Sequence, residues 1–159
     1  MKYKRTTSPT YSLLEEISAS KTKPLPQFWI NSQLSSMREG LAQLETGEHP
    51  DKEDWRVCAD AVNFLETLIE MGEVEDTQGL LNDAVTAMGE CGARVLSGKS
   101  MRLTGQGIQT VRAVLQDYSE VIQVLPARTM IHAHRMTERR NTEIRSGRGR
   151  PHDVMVVLL

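Results

Sequence analysis

Apolar residues recur at alternating steps of three and four through most of this chain, which is the spacing of one face of an α-helix. Four segments show this pattern, and each predicts a helix with one buried stripe. The four stripes are Ile30, Leu34, Met37, Leu41 and Leu44; Trp55, Cys58, Val62, Leu65 and Ile69; Leu81, Ala84, Met88, Cys91 and Val95; and Ile108, Val111, Leu115, Tyr118, Ile122 and Leu125. Apart from DVMVVLL near residue 155, no segment shows the alternation of a strand.

Turn residues separate the stripes and predict where the helices end. Gly47 follows the first stripe as a left-handed terminator, and Gly72 and Gly98 close the second and third helices. Asp76 or Thr77 is the expected N-terminal cap of the third helix. Because the loops are short and the stripes suit shallow crossing angles, the pattern predicts an all-α fold, an antiparallel helical bundle of four main helices.

Pro126 lies inside what would otherwise be one long helix. A proline removes a backbone hydrogen bond and clashes with the preceding turn, so the last main helix is expected to be kinked or broken there. Residues 126–145 then form a basic amphipathic helix, and residues 146–159 form a short basic Gly/Arg connector and an apolar C-terminal tail. We expect the tail to dock on the bundle or on a second chain, since it would otherwise be an exposed apolar patch.

The bundle itself is expected to span residues 27–125, preceded by an N-terminal arm of residues 1–26. The arm contains a short amphipathic helix around Leu13, Leu14 and Ile17, which either packs across the bundle or remains loose. Acidic residues interrupt the place where a signal peptide would be apolar. No apolar run reaches the roughly 18 residues that a membrane helix needs. We therefore expect a cytoplasmic protein with no membrane partner.

The net charge of −2 hides an uneven distribution of charged residues. Residues 38–90 carry 14 acidic and three basic residues, a net charge of −11. Residues 126–152 carry seven arginines and two glutamates, a net charge of +5, and residues 1–24 add +3. An acidic bundle next to a basic C-terminal arm predicts a dipolar molecule that attracts oppositely charged partners.

Residues that could carry catalysis or bind a metal have the wrong spacing for it. His132 and His134 are two positions apart, which places them on different faces of a helix. The stretch LTGQGIQT matches neither the dinucleotide fingerprint nor the P-loop. Cys58 and Cys91 lie on apolar stripes and are expected to be buried, reduced thiols. We expect no enzyme activity, no cofactor and no metal site.

The sequence GRGRP at residues 147–151 resembles the core of the AT-hook. That motif is a short DNA-binding segment that lies extended along a narrow A·T minor groove. The resemblance covers five residues, and it implies that Arg148 and Arg150 reach into the groove, where the negative potential is concentrated. His152 and Asp153 follow where the family usually has further basic residues. A charged, flexible connector to the tail is the alternative interpretation.

Seven arginines and no lysine follow Pro126, and they are the candidate binding residues for a partner or nucleic acid. They are Arg128, Arg135, Arg139, Arg140, Arg145, Arg148 and Arg150. Two functions fit this layout. The favoured one is a non-enzymatic adaptor or regulator that binds a protein partner, including a second copy of itself, through the acidic bundle face and the basic arm. The alternative is a nucleic-acid-binding regulator that uses residues 128–150.

Overall fold

The computed structural model describes residues 10–147, which form six helices and no strand. The helices are α1 (Leu13–Ser18), α2 (Gln27–Thr46), α3 (Lys52–Glu70), α4 (Leu81–Leu96), α5 (Gln106–Ile122) and α6 (Ala127–Arg145). The predicted all-α fold is confirmed. Four main helices are not confirmed, because α6 is as long as α3, with 19 residues each, and packs against it. The predicted apolar tail and most of the basic connector lie outside the described residues.

Helix α3 is the centre of the packing, because it contacts α2, α4, α5 and α6. It begins with a reciprocal cap in which Asp51 accepts hydrogen bonds from the Glu53 and Asp54 amides, at 2.8 and 3.0 Å. The Asp54 carboxylate accepts in turn from the Asp51 amide at 2.8 Å. This arrangement satisfies donors that have no partner within the helix and places negative charge at the positive end of its dipole.

The predicted apolar stripes form most of the core. Of the 21 stripe residues 16 are buried, and the half-buried ones are Leu41, Ile69, Val95, Ile108 and Leu125. The core also includes Met101 and Leu103 from the loop between α4 and α5, and Met130 and Ala133 from α6. The bundle predicted over residues 27–125 therefore shares its core with the segment that follows it. The stripe period was the decisive signal, since it placed one side of each helix inward.

Glycines end the helices in two different ways. Gly72 and Gly98 have φ values of +76° and +73°, which confirms the predicted left-handed ends. Gly47 was wrongly predicted to be left-handed, since its φ is −63° and its backbone is extended. There the loop between α4 and α5 satisfies the end of α2: the Arg102 Nε donates to the Gly47 carbonyl at 2.9 Å, and the Leu103 amide donates to the Leu44 carbonyl at 2.9 Å. A long-range cap thus replaces the local turn.

Pro126 breaks the helix rather than kinking it, because α5 ends at Ile122 and a separate α6 begins at Ala127. The first amides of α6 find partners in the N-terminal segment. The Ala127 amide donates to the Lys23 carbonyl at 2.8 Å, and the Arg128 amide donates to the Ser20 carbonyl at 2.9 Å. The N-terminal arm is therefore part of the packed structure over its described residues, since it caps α6.

Gly40 of α2 is buried directly against α3. A Cβ atom at this position would lie 2.4 Å from the Val57 Cγ2 and 2.8 Å from the Asp54 carbonyl oxygen. The second of these neighbours is backbone and cannot rotate away. The absence of a side chain at Gly40 therefore sets the distance between the two helices.

We expect Gly40→Ala to lower the free energy of unfolding by about 1 to 3 kcal/mol, because α2 and α3 must separate to admit the methyl group. Gly89→Ala is the matched control, since nothing lies within 4 Å of a Cβ placed there on α4. The control should raise stability by up to about 1 kcal/mol through helix propensity. Urea denaturation of both variants measures the difference, and equal effects of the two substitutions would show that the close contact is unimportant.

Candidate functional site

The candidate arginines of α6 fall into two classes in the structure, those bound by the protein itself and those left exposed. Arg140 belongs to the first class, with a side chain that is only 15% exposed. Its guanidinium donates to the carboxylates of Glu66 at 3.0 Å and Glu70 at 3.1 Å, and to the Asn63 carbonyl at 3.1 Å. All three acceptors lie on α3, so Arg140 joins α6 to the central helix.

Neighbouring threonines continue this polar contact between α3 and α6. The Thr137 hydroxyl lies 2.8 Å from the Thr67 hydroxyl and also donates to the Ala133 carbonyl at 2.8 Å. The Thr67 hydroxyl donates to the Asn63 carbonyl at 3.1 Å. Buried polar groups are costly without partners, so this seam fixes how α6 lies along α3.

Two more of the candidate arginines hold the N-terminal segment. The Glu16 carboxylate of α1 binds both the Arg135 guanidinium and the His132 Nδ1, the latter at 2.7 Å. Hydrogen bonding to Arg135 is the main cause that lowers the pKa of Glu16, and His132 contributes to the same shift. The Arg128 guanidinium donates to the Ile17 carbonyl near the end of α1. Arg128, Arg135 and Arg140 thus support the fold.

Two of the described arginines of α6, Arg139 and Arg145, have exposed side chains that a partner could reach. Arg139 is 74% exposed and contacts Glu143 one turn later at 3.3 Å, an exposed pair that contributes little to stability. Arg145 is exposed at the end of α6 and makes no ion pair within residues 10–147. Arg148 and Arg150, the residues that the AT-hook resemblance singles out, lie outside the described residues.

On the acidic side of the molecule, the carboxylates bind an amide side chain and backbone amides rather than cations. In the loop before α4, Gln78 donates to the Asp117 carboxylate of α5 at 3.0 and 3.1 Å. Burial raises the pKa of Asp117, these hydrogen bonds oppose the shift, and the nearby carboxylates of Glu120 and Asp76 raise the pKa further. Asp76 also accepts from the Leu80 and Leu81 amides, at 3.2 and 3.3 Å, but the N-cap position of α4 is Leu80 and not the predicted Asp76 or Thr77.

We call these three carboxylates, together with Glu73 and Glu75 of the same loop, the acidic corner. Its members are Glu73, Glu75, Asp76, Asp117 and Glu120. None of the five forms an ion pair with any residue between 10 and 147. Arg135 and Arg140 of α6 are paired with carboxylates of other helices, whereas no carboxylate of the acidic corner has a cationic partner within residues 10–147.

His134 has the least polar surroundings of the described histidines. The rings of Tyr11, Trp29 and Phe64 lie around it, with centroids 5.6, 5.8 and 4.5 Å from its own. Its Nε2 is buried and has no hydrogen-bond partner among the described residues. Burial lowers the pKa of His134 to about 4, while the Glu138 carboxylate opposes the shift. His134 is therefore a half-buried, neutral ring that packs against aromatic side chains.

The two cysteines are confirmed as buried, free thiols. The Cys58 Sγ lies 3.7 Å from the Met37 carbonyl oxygen. Burial raises the pKa of Cys58 to about 12 and that of Cys91 to about 11, so both thiols stay protonated and unreactive. In the part of the chain that the structure describes, no three His, Cys, Asp or Glu side chains are arranged to hold a metal ion.

The partners of the α6 arginines were not recognised in the sequence. A signal for them exists in α3, where Asn63, Glu66, Thr67 and Glu70 follow one another at helical spacing and form a polar stripe. Such a stripe on a helix that is otherwise apolar indicates a buried polar contact. Its partner could not be identified, because several basic segments of the chain could have supplied it.

No protein-family model, curated protein or solved structure matches this chain. Among the helices within residues 10–147, none combines the length and the apolar character that crossing a membrane requires.

We expect Arg140→Met to lower the free energy of unfolding by about 3 kcal/mol or more, because it removes the ion pairs and the hydrogen bond by which the half-buried Arg140 guanidinium joins α6 to α3. Arg139→Met removes the same charge one residue earlier from an exposed position and should change stability by about 0.5 kcal/mol or less. Chemical denaturation of the two variants measures both values. Similar losses would mean that Arg140 does not anchor α6.

We expect the protein to lose stability as the pH falls from about 6.5 to about 4. In this range His134 takes up a proton in the unfolded chain but not in the folded one. The unfolded residue titrates at a pKa near 6.5 and the folded one at about 4, so acid favours the unfolded chain between these values. From pH 7 to 4.5 the loss due to His134 should be about 2 kcal/mol.

The control for this effect is a pair of variants measured at both pH values. His134→Phe should show a smaller decline than the wild-type protein, because it cannot take up the proton. His49→Gln, at an exposed position in the loop between α2 and α3, should decline as the wild type does. An unchanged decline in His134→Phe would refute the assignment.

Proposed function

We propose that this protein is a cytoplasmic, non-enzymatic adaptor or regulator that binds a basic protein partner through the acidic corner. The observation that carries the proposal is the charge balance of the two surfaces. Three α6 arginines are occupied by Glu16, Glu66, Glu70 and backbone carbonyls, while the five carboxylates of the acidic corner have no cationic partner within residues 10–147. Complementary charge steers association and selects partners.

The acidic corner has a geometry suited to a basic segment. Gln78 holds Asp117 in place and Asp76 is fixed by the amides of α4, so two of its carboxylates are preorganised. Glu73 and Glu75 precede Asp76 in the loop, Glu120 lies one turn after Asp117 on α5, and all three are exposed. Fixed charges cost less to order on binding than flexible ones. A lysine- or arginine-rich segment of a partner, including another copy of this chain, has the matching chemistry.

We expect the triple variant Glu73→Gln, Glu75→Gln, Glu120→Gln to bind a lysine-rich peptide about fivefold more weakly than the wild type, a loss of about 1 kcal/mol. Asp76 and Asp117 are left unchanged, because they support the fold. The control variant Glu39→Gln, Glu48→Gln, Glu90→Gln removes the same charge from other exposed positions. Fluorescence anisotropy at low and moderate salt measures binding. Equal losses of affinity in both variants would show that the peptide responds only to the net charge of the protein and not to the acidic corner.

A second candidate function is nucleic-acid binding through the exposed end of α6. The exposure of Arg139 and Arg145 favours it, and both lie on the helix that leads to the GRGRP segment. Arg128, Arg135 and Arg140 do not support it, since they bind within the protein.

For this second function, duplexes rich in A·T or G·C pairs distinguish the modes of contact. If GRGRP is a minor-groove segment, Arg148→Ala with Arg150→Ala should weaken binding to the A·T-rich duplex more than to the G·C-rich one. Arg139→Ala with Arg145→Ala should weaken both equally and lower the salt dependence by about one unit for each phosphate that is no longer bound. Absence of binding by the wild-type protein at low salt would exclude this function.

A further inference from the structure

Helix α1 is bound to the protein through its polar side and presents its apolar side to solvent. Glu16 lies between His132 and Arg135 of α6, and the Thr10 amide donates to the Glu138 carboxylate at 3.0 Å. The three apolar side chains of α1 are outside this contact. Leu13 is 55% exposed, Leu14 is 73% exposed and Ile17 is 56% exposed.

This orientation is unusual for an amphipathic helix, since burial of apolar area is the ordinary reason for such a helix to dock. Here the docking is provided by ion pairs and capping hydrogen bonds instead. Met136, one turn after His132 on α6, is 39% exposed. Contiguous exposed apolar side chains mark a surface that is covered in the working state of a protein.

We propose that residues 154–159 of the same chain, VMVVLL, cover the apolar side of α1. Six consecutive apolar residues need a surface of this kind, and α1 offers one with three large apolar side chains. Gly147 ends α6 just before the connector to this segment. Its φ of +79° and the hydrogen bond from its amide to the Ile144 carbonyl, at 2.9 Å, end α6 in the left-handed turn that redirects a chain away from a helix axis.

The length of the connecting chain is sufficient for this contact. Arg135 and Glu138, which bind the α1 segment, precede Gly147 by 12 and nine residues, or about 14 to 18 Å along the helix axis at about 1.5 Å per residue. Residues 148–153 can span about 20 Å when extended. A tether of this length holds the tail near α1 at an effective concentration in the millimolar range, which favours the intramolecular contact over a second chain.

The charges of the connecting residues and of the region around α1 are also opposite in sign. Residues 148–153 contribute Arg148 and Arg150 against one acid, Asp153, while Glu15 is exposed on α1 and Glu138 lies where the N-terminal segment meets α6. The tail would thus shield the apolar side of α1 from water. This proposal does not depend on the acidic corner, so either can fail alone.

The test uses the full chain with Leu14→Cys and Val157→Cys, oxidised at low protein concentration. The native thiols do not interfere, because Cys58 and Cys91 are buried. We expect the Leu14–Val157 disulfide to form within one chain about tenfold faster than in the control Leu96→Cys with Val157→Cys, whose first site is exposed at the end of α4. Equal rates would overturn the proposal, and so would a disulfide that links two chains.

A second measurement reports the apolar surface without crosslinking. Deletion of residues 154–159 should raise the fluorescence of an apolar dye several-fold, and the added substitutions Leu14→Ser and Ile17→Ser should abolish the rise. A rise that persists with both serines would place the tail elsewhere. If the intact protein instead sediments with phosphatidylserine vesicles and no longer does so with the two serines, a lipid surface rather than the tail is the occupant, and the proposal is wrong.

Discussion

The guanidinium of Arg140 is held between two carboxylates of α3, and the position of α6 depends on this contact. A buried charge without a partner is costly, so α6 can dock only where Glu66 and Glu70 meet it. The Thr67 and Thr137 hydroxyls then fix the remaining register. Because α3 contacts four of the other five helices, the same contact ties the basic C-terminal segment to the whole core.

The opposite side of α6 uses the same chemistry for the N-terminal segment. Glu16 engages Arg135 and His132, and the backbone of residues 20–23 caps the first amides of α6. One consequence is the reversed orientation of α1, whose apolar side faces solvent. The other is electrostatic, since Arg135 and Arg140 are paired with carboxylates of other helices while no residue between 10 and 147 forms an ion pair with the acidic corner.

Sequence patterns predicted the core well and the ends of the helices unevenly. The stripes containing Met88 and Leu115 followed directly from helical periodicity. The prediction that Gly72 closes a helix was confirmed, because a left-handed helix end depends only on the local chain. The prediction of a left-handed turn at Gly47 was wrong, because Arg102, 55 positions later, provides the cap and removes the need for such a turn. The fifth long helix was underestimated since its buried stripe is short and partly polar.

The sequence by itself determined the all-α class, the inward sides of α2 to α5 and an interruption of the helix at Pro126, because each depends on residues within a few turns of one another. Only the tertiary structure decided which arginines remain available. Arg139 and Arg140 are adjacent in the sequence, yet one is exposed and the other is held by Glu66, 74 positions away. Arg135 likewise meets Glu16 across 119 positions. Charge compensation at such separations depends on which helices pack together, and helical periodicity carries no information about that.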